Sequence, residues 1–165
     1  MAPSFSYQHL DPDGQPSRSQ FSQYGALISI ELRLAPDDAT MRMIRTGGTG
    51  GTSPGLASID TGAAVTSVDE AIIHRFDLQP VDEVLVSTPV GVHRLRAYAL
   101  RLLIPSVGLQ LDLPSVPAID LAGATYQRQE ETGPIIALIG RDVLTRCAFA
   151  YDGPQARFTL TREDV

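Results

Sequence analysis

The chain has 165 residues, 43% of them hydrophobic and 19% charged, and a formal net charge of −6, which suits one domain with its own core and speaks against a nucleic-acid binder, where a basic excess is the rule. Its single cysteine, Cys147, rules out an internal disulfide and reads as a small core residue suited to a reducing compartment. The polar start, Met1 to Gln20, has no apolar stretch of a secretory signal, and no run is long enough to span a membrane, so the expectation is a soluble cytoplasmic protein.

Residues 1–22 carry Asp-Pro-Asp-Gly, Gln-Pro-Ser and many polar residues, and read as a segment that is flexible, or extended against something else, ahead of a domain spanning 23–165. Ile28, Ile30, Leu32 and Leu34 alternate with Ser29, Glu31 and Arg33, the period of a strand with one wet face. Met41 to Ile44 continue a hairpin. The glycine-rich run Thr46 to Gly55 lacks the Gly-Lys-Ser/Thr ending of a phosphate loop and reads as a hairpin tip. Leu56 to Ile59 form a short apolar strand ending at Asp60.

Ser67-Val68-Asp69-Glu70 has the spacing of a capping box, which predicts a short helix over 71–76 stopped by Pro80. Residues 84–104 read as a long hairpin turning near Pro89-Val90-Gly91. Its second arm places Leu95, Ala97, Ala99 and Leu103 on an apolar face that Arg101 interrupts. Strands follow over 109–113 and 116–121, then a polar loop over 122–134. The apolar strand Ile135 to Ile139 leads to a short helix over 140–147. A final hairpin over 148–161 turns at Asp152-Gly153-Pro154. Many short strands and one or two short helices predict a mostly-β fold.

Two motifs carry chemistry. In Ala57-Ser58-Ile59-Asp60-Thr61-Gly62-Ala63 an apolar strand carries a carboxylate into a tight turn, where glycine permits the bend and a ligand's close approach. About 80 residues further on stands Ile136-Ala137-Leu138-Ile139-Gly140-Arg141-Asp142-Val143-Leu144. Other chemistries lack their residues. His9, His74 and His93 have no metal-ligand spacing among themselves or with Cys147, and no Gly-x-Ser-x-Gly elbow occurs, so no metal or cofactor is expected.

The two motifs together resemble the retropepsin-like aspartic peptidases, in which a catalytic Asp-Thr-Gly-Ala turn is followed at this distance by an apolar-apolar-Gly-Arg-Asp/Asn segment. The resemblance runs over roughly residues 24–161. It implies a single-lobe, closed β-barrel that supplies half of an active site, so that two chains form a homodimer and hydrolyse peptide or protein substrates. Asp60 of each chain would share one proton and activate a water, Thr61 would hydrogen-bond across the two-fold axis, and Gly62 would meet the substrate backbone. Gly91, at the tip of a flap, and Ala63, Val90, Val92, Ile136 and Leu138 would line the substrate; Gly140, Arg141 and Asp142 would support the catalytic turn. Terminal strands including 156–160 would join the dimer.

The chain departs from retroviral members in having Ala64 where they carry an acid that pairs with the helix arginine, so the partner of Arg141 is open, with Asp69 and Asp142 as candidates. The flap has a proline and few glycines. The same fold used only for dimerisation or peptide binding is the alternative.

Overall fold

The alternation over Ile28 to Leu34 becomes strand β2 (Leu27–Leu34), with Ile28, Ile30, Leu32 and Leu34 buried and Ser29 and Arg33 exposed, in a computed structural model that describes residues 2–37, 51–88, 91–121, 125–127 and 132–163. The remaining strands are β1 (Ser4–Gln8), β3 (Thr52–Ile59), β4 (Ser67–Asp69), β5 (Asp82–Thr88), β6 (Gly91–Ile104), β7 (Leu109–Ile119), β8 (Thr125–Gln127), β9 (Thr132–Ile139), β10 (Cys147–Asp152) and β11 (Arg157–Arg162). Short helices among the described residues include α1 (Arg18–Tyr24), α2 (Glu70–Phe76) and α3 (Arg141–Leu144).

Strands β2, β3, β9, β4, β7 and β6 are neighbours in that order, and β2 also pairs with β6, so the sheet closes into a six-strand barrel. Closure removes the free edges of these strands. β5 extends the sheet beyond β6, and β8 pairs with β9. The barrel core holds Leu100, Leu102 and Ile104 from β6, Ile72, Ile73 and Phe76 from α2, and Val143 from α3, all buried. Each such side chain contributes about 1.5–3 kcal/mol by leaving water, set against the entropy of ordering it. Among the described residues no helix is long and apolar enough to cross a membrane.

A second layer is the three-stranded sheet β1-β11-β10. Its core is Phe21, Ala26, Ala156 and Phe158, with Phe5, Tyr7, Ile59 and Phe149 packed against it. Of the two expectations for the amino-terminal segment, flexible or extended against something else, the second holds: β1 pairs with β11, and Phe21 of α1 is 1% exposed. A boundary at 22/23 falls inside α1. His9, read as one of three scattered histidines, is 0% exposed, lies between the rings of Tyr7 and Phe21, and has Nε2 3.1 Å from the Gly25 carbonyl oxygen. The polar composition of the segment hid three anchors, Phe5, Tyr7 and Phe21, and anchors rather than averages decide whether a segment docks.

Other expectations change in detail. Residues 52–55 are not a hairpin tip but the start of β3, with Ser53 opposite Leu32 and Gly55 opposite Ile30; residues 41–50 lie outside the described residues. The capping-box reading fails because Ser67 belongs to β4. Asp69 is the N-cap of α2, accepting from the Ala71 N–H at 2.9 Å. The helix ends at Asp77, in the left-handed region with φ 50°, before Pro80 is reached.

On β6 the buried face beyond Ala97 is Tyr98, Leu100, Leu102 and Ile104, while Leu95, Ala99 and Leu103 are only half-buried. Arg101 decides the parity: its guanidinium must stay near water, where it meets Asp112 at 2.6 Å, so the core takes the other face. β7 is one strand where two were expected, with an irregularity where it pairs with β6 between Tyr98 and Leu100. Part of the expected 122–134 loop pairs as β8 and β9. Cys147 is half-buried, not fully buried, and burial raises its thiol pKa above the usual range.

Candidate active site

β3 lies between β2, antiparallel, and β9, parallel, with Ile59 opposite Ile139. Both strands end at this level, so Asp60 and Gly140 leave the barrel side by side. The exit is pinned from both sides: the Ile59 N–H donates to the Ala26 carbonyl at 2.9 Å, and the Asp60 N–H to the Ile139 carbonyl at 3.0 Å.

The chain then turns back on the Asp60 carboxylate. The Gly62 and Ala63 N–H groups donate to Oδ1 at 2.9 and 3.2 Å. Among the described residues Oδ2 accepts no hydrogen bond. Asp60 is half-buried, Thr61 and Gly62 are exposed and Ala63 is half-buried. One carboxylate oxygen is thus fixed by backbone donors, while the other remains for a water, a substrate or another carboxyl. Two amide donors to one oxygen hold the side chain in a single orientation.

Gly140 allows the downstream segment to meet this turn. A Cβ there would stand 2.5 Å from the Val65 carbonyl carbon and 2.8 Å from the Thr66 nitrogen, so only glycine fits. The requirement is space, since the Gly140 φ of −88° is open to any residue. Past Gly140, the start of α3 docks on four consecutive carbonyls. Arg141 Nη1 donates to the Thr61 and Gly62 carbonyls at 2.9 and 3.0 Å, the Arg141 N–H to Ala63 O at 3.0 Å, and the Asp142 N–H to Ala64 O at 3.3 Å. The partner of Arg141 is therefore the turn's own backbone, not Asp69 or Asp142.

Asp142 serves a different residue. Its carboxylate accepts the Thr66 N–H at 2.9 and 3.0 Å, the Thr66 hydroxyl at 2.8 Å and the Val143 N–H at 2.9 Å. The Thr66 hydroxyl in turn accepts the Gly140 N–H at 3.0 Å. Thr66, 1% exposed, is the site residue that sequence reasoning missed. Its partner is 76 positions away, and nothing local separates it from Ser67.

The structure thus brings Asp60, Thr61, Gly62 and Ala63 together with Gly140, Arg141 and Asp142. Of the expected substrate-lining residues, Gly91 is exposed with φ 138°, Val92 is 66% exposed and Leu138 is half-buried. Ile136 corrects the expectation: it is 3% exposed in the core and fills the space a side chain at position 55 would need. Pro89 and Val90 lie outside the described residues.

No protein-family model and no curated protein matches the sequence. Solved structures do match. The solution structure of simian foamy virus (mac) protease aligns with 73% of this chain and 92% of its own, at 18% identity and a TM-score of 0.42. The crystal structure of a retropepsin-like aspartic protease from Rickettsia conorii aligns with 98% and 94%, at 12% identity and a TM-score of 0.45.

Proposed function

We propose that the chain is one half of a homodimeric aspartic endopeptidase. The observation that carries this reading is the Asp60 carboxylate: half-buried at the end of a core strand, with Oδ1 held by two backbone N–H groups and Oδ2 without an acceptor role among the described residues. A dimer formed on these exposed turns would set two such carboxyls face to face. Carboxyls that close do not both ionise, so the pair holds one proton. The ionised member takes a proton from a water, which attacks the scissile carbonyl carbon. The protonated member donates to that carbonyl's oxygen, and the tetrahedral intermediate collapses as the leaving nitrogen gains a proton.

Thr61, exposed at the tip of the turn, is the contact toward the partner's turn, and Gly62 offers its backbone to substrate. The outer half of the β5–β6 hairpin serves as the flap. It carries the exposed apolar residues Leu85 and Val92, which lose water when a peptide lies beneath them.

The test is Asp60→Asn against a peptide library. The variant loses cleavage and keeps the sedimentation behaviour of the wild type. Cleavage that survives the substitution, or a fully active monomer, rejects the reading.

A further inference from the structure

We propose that Arg141 acts on the Asp60 carboxylate through two peptide bonds, as a positioning residue that strengthens the amide donors holding Oδ1. The catalytic consequence rests on the peptidase reading; the electrostatic link itself does not. The geometry is a matched pair of relays. The Thr61 carbonyl, which accepts from Arg141 Nη1 at 2.9 Å, belongs to the same peptide unit as the Gly62 N–H, which donates to Oδ1 at 2.9 Å. The Gly62 carbonyl, which accepts from the same nitrogen at 3.0 Å, shares its peptide unit with the Ala63 N–H, which is divided between Oδ1 and the Asp60 main-chain carbonyl, each at 3.2 Å. Each unit has a cation on its oxygen and an anion on its hydrogen.

A charge placed on a carbonyl oxygen draws electron density across the amide and makes its N–H a better donor, so hydrogen bonds linked in series reinforce one another. Both relays end on one oxygen and act with the same sign, strengthening the donors that hold it. The direct field of the guanidinium has that sign too. Arg141 is exposed, and solvent weakens the direct field more than it weakens bonds fixed in line.

Holding the turn in place is a separate task with its own bonds. The Arg141 and Asp142 backbone N–H groups bind the Ala63 and Ala64 carbonyls, and the Thr66–Asp142–Gly140 network fixes the start of the helix. None of these uses the guanidinium. Removing the side chain therefore weakens the donors without releasing the turn. In a chain with Ala64 next to the motif, no neighbouring acid draws the guanidinium away from this task.

The experiment compares Arg141→Met and Arg141→Lys with wild type, by peptide cleavage across pH and by the amide proton signals of the turn. In Arg141→Met, kcat falls about three- to tenfold with KM little changed. The whole pH–rate profile moves to higher pH, because ionising one member of the pair now takes a lower proton activity. The Gly62 and Ala63 amide protons shift upfield, as weaker donors do, while those of Thr66 and Asp142 stay. Arg141→Lys, which keeps the charge but not the fork, returns part of the pH displacement. A profile of unchanged position with a lower kcat, or unmoved Gly62 and Ala63 amides, overturns the proposal. The amide readout needs no activity, so it judges the relay even if Asp60→Asn has already rejected the peptidase reading.

Discussion

The 2.5 Å between a Cβ at Gly140 and the Val65 carbonyl carbon leaves no room for a methyl group, and the obstacle is backbone on both sides. Gly140→Ala must push the 140–142 segment away from the turn that carries Asp60. Overpacking of this kind costs about 1–3 kcal/mol. It should also lengthen the Arg141 and Asp142 bonds to the turn's carbonyls, so cleavage should fall more than stability. A urea denaturation midpoint and kcat/KM on one peptide check both; a variant equal to wild type in each removes the close approach from the account. Thr66 belongs to the same scale. One hydroxyl there both donates to Asp142 and accepts from Gly140, a double duty that valine, of similar shape, does not perform.

At the scale of elements, β6 carries the parity that the whole barrel obeys. Tyr98, Leu100, Leu102 and Ile104 point inward, and the intervening Arg101 joins Asp112 of β7 across the outer face. The hydrogen bond from Arg101 lowers the Asp112 carboxyl pKa below its ordinary value. A carboxylate whose folded pKa is depressed adds stability that is present above its unfolded pKa and is lost as pH falls through the folded one. Arg101→Met should therefore be less stable than wild type at neutral pH, and the gap should close in acid as Asp112 protonates in both proteins. Urea midpoints measured from neutral pH downward decide it: a gap that stays constant assigns the loss to packing of the arginine stem instead. The same strand continues past the barrel into the exposed arm that begins at Gly91, so a single element links the core to that arm.

At the scale of the whole molecule, the barrel core and the smaller aromatic core share three residues packed against both, Phe5, Ile59 and Phe149. Ile59 packs against the barrel core and also against the smaller cluster of Phe21, Ala26, Ala156 and Phe158, one position before Asp60. The amino-terminal segment therefore supports the turn that carries Asp60 from behind. Phe21→Ala should cost about 3–5 kcal/mol, as for an aromatic side chain removed from a packed core, and should lower peptide cleavage as well. Unchanged urea unfolding would return residues 1–22 to the flexible segment their composition suggests. Assembly is constrained at this scale too. Ala156, Phe158 and Leu160 are 0% exposed and β11 pairs with β1 and β10, so within 156–160 the side chains of Arg157 and Thr159 are the ones that reach the surface.

The sequence by itself marked the candidate site residues and determined the class of fold that carries them. Asp60 at the end of an apolar run, with glycine two positions on, specifies a carboxylate on a tight turn because local sterics permit little else. The alternation over Ile28 to Leu34 specifies a half-wet strand for the same local reason. Only the tertiary structure decided what those residues touch. The partner of Arg141, the role of Thr66 and the close approach at Gly140 join positions more than 70 apart, which no local pattern encodes. The docking of residues 2–22 depended on two aromatic layers meeting, and the inward face of β6 on where one arginine could keep its charge near water. Each of these is a choice between locally equivalent states, settled by burial and hydrogen bonding across the fold.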